Sequence, residues 1–294
     1  MPPSPPLSRR RFTGLVAAGL TGLSLRPSLF GATRMPVPRI GCQTDLANAA
    51  AVRDAGGSFV GLSVAGWLDP DGPENEFLAK IDVASAAPLP VIVCNSFIRA
   101  KHMKVTGPEA NHDEVLAYCG RALERAQRAG VGMITFGSSG SRRIPDGFDV
   151  GRANDQFISF LQKLGPIAAD HDVTVNVEQL QSRECNFLMR IGEVEHVVRA
   201  ADHPRIGMVA DLYHMVAESD TPADLAQAVD LVNHVEIAEL EGRRVPGTTG
   251  QDFRPYFKVL KAANYSGAIG VEGRFELSEL AQGFAEIALQ WNEA

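Results

Sequence analysis

The chain has 294 residues, 45% hydrophobic and 21% charged, with a formal net charge of −7. This is an ordinary globular balance with enough apolar material for a large core, and the length suits one α/β barrel of about 250 residues plus a short extension. An acidic chain with no Lys or Arg block beyond its N-terminus argues against a nucleic-acid partner.

Residues 1–34 read differently from the rest. A proline-rich start leads to Ser8-Arg9-Arg10-Arg11-Phe12, and an uncharged run rich in Gly, Ala and Leu follows over 15–25. A positive stretch ahead of a short apolar run has the form of an export signal, and Arg9-Arg10 with Phe12 resembles the twin-arginine type. The expected location is therefore the periplasm. The apolar run is too short for a comfortable bilayer span, so stable membrane insertion is not expected. Cys42, Cys94, Cys119 and Cys185 form no C-x-x-C pair and read as free, buried thiols.

From residue 35 to 294 the chain alternates short β-branched or apolar runs with longer helical stretches. Strands are predicted at 39–42, 58–62, 90–94, 132–136, 173–177, 205–210, 232–237 and 268–271. Helices are predicted at 45–55, 114–129, 153–170, 191–201, 222–229, 252–263 and 276–291. Such alternation implies a parallel sheet, and eight units imply a closed, single-domain (β/α)8 TIM barrel. A doubly wound open sheet is disfavoured because no G-x-G-x-x-G follows the first strand.

In a barrel of this kind the active site lies at the C-terminal ends of the strands. The fifth strand runs to Asn176-Val177-Glu178 and the sixth to Ala210-Asp211. The seventh contains His234-Val235-Glu236, and the eighth closes on Val271-Glu272. Four consecutive strands thus place an acidic residue at one relative height, and strand alternation pairs Asn176 with Glu178, and His234 with Glu236, on the inward face. Four converging carboxylates repel one another unless protonated or bridged by a cation. Oxygen-only ligation points to Mg or Mn. A lone acid at a strand end is more often a helix cap, but four on adjacent strands are not explained that way.

These motifs, Asn-Val-Glu-Gln, Asp-Leu-Tyr-His and Gly-Val-Glu-Gly, resemble the xylose-isomerase-like sugar isomerases and epimerases, which include tagatose 3-epimerases and hydroxypyruvate isomerases. The resemblance implies a metal shell of Glu178, Asp211, Glu236 and Glu272, holding Mn or Mg, with Co also admitted. Glu236 departs from the His, or Gln, usual at the third position. The resemblance also implies that His214 and Arg243 reach substrate oxygens, and that Asn95 and the segment 136–145, with Arg142, lie on the substrate side. Trp67 follows the second strand and is suited to stack on a sugar face or to pack. The remaining histidines receive no role.

The implied activity is isomerisation or epimerisation of a keto sugar, through a metal-bound enediolate with Glu178 and Glu272 as acid and base. One competing reading is a lyase that eliminates the aglycone from a 3-keto-glycoside. Another, of a different class, is a non-catalytic periplasmic sugar-binding protein. A DNA-repair endonuclease fits less well, because Glu236 stands where a His ligand would help and the chain is acidic. The expected partner is a small carbohydrate, with homo-oligomerisation left open.

Overall fold

The computed structural model describes residues 35–294, and Met35–Ala294 forms one compact unit. The proposed export segment, 1–34, lies outside the described residues. Eight parallel strands close on themselves in sequence order. They are β1 (Arg39–Gln43), β2 (Val60–Ser63), β3 (Val91–Asn95), β4 (Met133–Phe136), β5 (Thr174–Glu178), β6 (Ile206–Asp211), β7 (Val232–Ile237) and β8 (Ala268–Val271). The last strand pairs back onto the first, with Ile40 opposite Ile269. All eight predicted strands form, each within two residues of its predicted ends.

The helices are α1 (Ala49–Asp54), α2 (Glu74–Ser85), α3 (His112–Arg128), α4 (Ser139–Arg142), α5 (Val150–Asp170), α6 (Ile191–Ala201), α7 (Leu212–Ala217), α8 (Pro222–Ala228), α9 (Arg254–Ala262) and α10 (Leu280–Glu293). Local chemistry starts them. Thr221 caps α8 in a capping box with Asp224, and Pro222 stands at the first turn, where its missing N–H costs nothing. Helix α3 carries Asp113 and Glu114 in its first turn and Arg125 and Arg128 in its last, matching the helix dipole at both ends. The buried Arg125 also donates to the carbonyls of Leu68 (2.9 Å) and Gly72 (2.7 Å), which fixes the β2–α2 loop that carries Trp67.

Three of these ten helices were not predicted. Helix α2 buries only Phe77, so its apolar periodicity is weak. The four-residue α4 and six-residue α7 are too short to show a period, and α7 begins directly on a strand end.

The core lies mainly between the strands and the helical ring, where Phe136, Phe157, Phe160 and Phe187 pack ring to ring. A smaller cluster of Phe59, Val93 and Ala268 packs separately. Gly41 makes room for Phe59. A Cβ at 41 would stand 2.3 Å from the Phe59 carbonyl oxygen and 2.7 Å from its ring. Gly41→Ala is therefore expected to overpack the site and destabilise the protein by about 1–3 kcal/mol. The check is a urea unfolding midpoint at unchanged m-value; an unshifted midpoint would show that the strands can spread freely.

Candidate metal centre

Interstrand register explains how the four acids meet. Glu178 pairs with Val209, Asp211 with Glu236, and Glu236 with Gly270. Along the pairing direction the acids therefore climb two residues between β5 and β6, and two more between β7 and Glu272 just beyond β8. They do not stand at one height along the strands. The stagger of a tilted barrel brings them together instead. One oxygen from each of Glu178, Asp211, Glu236 and Glu272 lies within 4.8 Å of the others.

Each acid is held differently. Asp211 is fully buried and caps α7: its Oδ1 accepts from the backbone N–H of Tyr213 (2.8 Å) and of His214 (3.2 Å). Its Oδ2 has no hydrogen-bond partner among the described residues. Asp211 is thus a helix cap with one oxygen and a candidate metal ligand with the other. Glu236, also fully buried, accepts from Gln43 Nε2 at 3.2 Å through Oε1, while its Oε2 is unpartnered. Glu272 accepts from Asn95 Nδ2 at 2.6 Å and from Arg243 Nη2 at 2.5 Å. Glu178 packs so close to Gly137 that a Cβ there would stand 2.2 Å from its Oε2.

Burial raises the pKa of Glu178 well above the usual carboxylate range, and Glu236, Glu272 and Asp211 raise it further. Glu236 is likewise raised, first by burial and then by Glu272 and Asp211. Glu272 is raised by burial, but Arg243 and Asn95 pull against the shift. Burial also pushes His234, below Glu236 on the inward face, down to about 4, so it is neutral at pH 7.

Partnerless buried oxygens on Asp211 and Glu236, within a cluster of four carboxylates that share one small volume, fit a divalent cation. His214 offers an alternative ligand set with Glu178 and Asp211. Its hydrogen bonding argues for another part. Nδ1 accepts from the Gln181 N–H at 3.2 Å, which assigns the neutral ring's proton to Nε2. That Nε2 lies 3.6 Å from both Glu178 and Asp211 and is oriented as a donor.

Two adjoining cavities share Asn95 at the barrel mouth. One, of about 360 Å³, is lined by Glu178, Glu272, His214 and Arg243. The other, of about 390 Å³, is lined by Gln43 and Trp67. A larger cavity of about 560 Å³ opens beside the starts of β6 and β7, around His203 and Asn233. It contains none of the four carboxylates. The structure therefore brings Asn95, Trp67, His214 and Arg243 to the mouth with the acids.

Arg142 does not follow the expectation. It is completely buried, donates to the Phe136 carbonyl, and lines neither mouth cavity. Its place is inside the wall, with its charge near Glu178. The substrate-side position expected for it is corrected accordingly: α4 turns its side chain inward.

Residues not singled out from sequence complete the centre. Gln43 ends β1 and holds Glu236; a reading of that strand end would have found it. Tyr213 lies beneath the Arg243 guanidinium, with 4.6 Å from the Arg243 Cζ to the ring centroid. Glu239, fully buried, accepts the backbone N–H groups of Gly247 (2.8 Å), Gly250 (3.1 Å), Gln251 (3.2 Å) and Thr249, and so sets the loop that presents Arg243.

The raised carboxyl pKa values fix a sign. The folded apo protein binds more protons at this centre than the unfolded chain, so its stability is greatest below the unfolded pKa and falls as pH rises. Without divalent ions, the Tm is expected to fall as the pH rises above the ordinary carboxyl range. Mn²⁺ or Mg²⁺ at the upper pH should restore it, and EDTA should reverse the gain. Glu236→Gln should flatten the apo slope. A Tm indifferent to cation and pH would show that the cluster binds no metal.

Residues 49–288 match a family model described as xylose isomerase-like TIM barrel. The chain is 31% identical over 135 residues to 3-dehydro-D-guloside 4-epimerase of Escherichia coli (strain K12), covering 45% of this chain and 50% of that one. It spans about half the length of most of the curated relatives it matches. Among solved structures, it resembles E. coli 3-keto-D-glucoside 4-epimerase in its apo form, with a TM-score of 0.69 at 21% identity, covering 87% of this chain and 99% of that one. A D-psicose 3-epimerase crystallised with D-fructose gives a TM-score of 0.71 at 15% identity, covering 87% and 96%. At these identities the structural likeness shows a common fold.

Proposed function

The chain belongs to the xylose isomerase-like TIM barrel family, and on that footing we propose that it is a metal-dependent sugar epimerase or isomerase. The observation that carries the reading is the four-carboxylate centre, with Glu178 and Glu272 both lining one cavity. Similarity to a 3-dehydro-D-guloside 4-epimerase supports a keto sugar, free or as a glycoside, as substrate. The Arg9-Arg10 segment supports action in the periplasm.

Glu178, Asp211, Glu236 and Glu272 would hold the divalent ion, with Mn or Mg matching the donor set. When bound, the ion supplies positive charge beside the sugar carbonyl, which acidifies the neighbouring C–H. The protein's own groups do the rest. One of Glu178 and Glu272 removes the proton from that carbon, and the other returns one. Return to the opposite face of the same carbon is epimerisation; return to the neighbouring carbon is isomerisation. Arg243 and Asn95 keep Glu272 oriented. His214 Nε2–H and Arg243 donate to the oxygen atoms of the sugar. A pure binding protein would need neither glutamate as a proton carrier.

The test is solvent-deuterium incorporation into keto sugars and 3-keto-glycosides by metal-loaded protein. Glu178→Gln and Glu272→Gln should each slow incorporation by about 10²–10⁴-fold, with circular dichroism unchanged. Near-normal exchange in both variants would overturn the assignment. Product analysis separates an epimer or isomer from a released aglycone, the mark of the competing elimination.

A further inference from the structure

The loop after β3 is basic. Arg99, Lys101, His102 and Lys104 occur in six residues, with no acid before Glu109. Two of the four have partners: His102 lies 3.4 Å from Glu114, and Lys104 Nζ donates to the Gly140 carbonyl at 2.7 Å. Arg99 and Lys101 have no hydrogen-bond or ion-pair partner among the described residues, and these are the two that line the cavity containing Glu178 and Glu272.

Other charges in that cavity are already committed. Arg243 is engaged by Glu272, and Glu184 lies 3.5 Å from Arg243 and accepts from Gln181 at 2.9 Å. With a divalent ion among the inner carboxylates, Arg99 and Lys101 leave the outer part of the cavity positive. The hydroxyls of Ser96 and Ser139 line the same cavity and have no hydrogen-bond partner among the described residues. The backbone supports a built arrangement. Ser96 and Ser138 adopt left-handed φ values of 54° and 34°, conformations that non-glycine residues keep only where the surroundings impose them. The Ile98 N–H donates to Ser138 Oγ at 2.9 Å, tying the β3 loop to the β4 loop.

We propose that this outer part is an anion subsite, in which Arg99, Lys101, Ser96 and Ser139 hold a carboxylate or phosphate carried by the sugar away from its reacting carbon. The proposal rests on the sugar reading above and narrows it to acidic keto sugars. Charge-assisted hydrogen bonds from two cations select such a group over a neutral hydroxymethyl.

The test measures binding, so that it does not depend on turnover. Metal-loaded full-length protein is titrated calorimetrically with D-fructose, D-fructose 6-phosphate and D-fructuronate, which share a skeleton and differ at C6. The charged sugars should bind at least about tenfold more tightly than fructose. The variant R99A/K101A should bring all three within about twofold, leaving the fructose affinity unchanged. The preference between the two charged sugars identifies phosphate or carboxylate. Equal affinities in the wild type, no binding of the charged sugars, or a preference that survives R99A/K101A overturns the subsite. Tight charged binding without deuterium exchange would instead sink the epimerase reading and leave the subsite standing.

Discussion

Four carboxylates share one desolvated volume at the mouth of the barrel, and much of the local architecture answers that conflict. Two like charges about 4 Å apart at an effective dielectric of about 20 repel by about 4 kcal/mol. The closed parallel sheet makes the convergence available, because every strand points the same way and every C-terminal end reaches one rim. Amide donors then absorb part of the charge, Gln43 on Glu236 and Asn95 on Glu272, while His214, fixed by Gln181, stands beside Glu178 and Asp211. Arg243 supplies a cation at the mouth, and it is spent mainly on Glu272. What remains unbalanced is what makes the cluster a candidate cation site.

The two glutamates of the mouth cavity live in unlike surroundings. The Glu178 side chain is 7% exposed and sits against Gly137, with the buried Arg142 behind it. The Glu272 side chain is 22% exposed and held by two donors. Carboxyls whose environments push their proton affinities apart are the usual basis for a division into acid and base.

Strand positions were legible because β-branched runs recur at barrel spacing, and the acids were legible because they recur at the ends of four successive strands. Gln43 occupies a similar strand-end position but carries no charge to mark it. Arg142 and Arg143 are neighbours with one side-chain chemistry. Only the turn of α4 sends the first into the wall and leaves the second to bond the Glu184 carbonyl. Asp211 was legible as a ligand or as a cap, and the structure makes it a cap with an oxygen to spare. Glu236 and Glu239 lie three residues apart. Strand alternation turns Glu236 inward, but Glu239 lies beyond the strand, where nothing local says that it will gather backbone amides.

Glu239 gives the β7–α9 loop a form that does not depend on the residues at its tip. Its carboxylate gathers four amides from the return stretch, and its own N–H donates to the Arg244 carbonyl at 2.8 Å. The segment between behaves as an exchangeable cassette clipped at both ends to one buried acid. A substitution at Glu239 thus reaches Arg243 and the mouth through the backbone of the loop and not through a side chain.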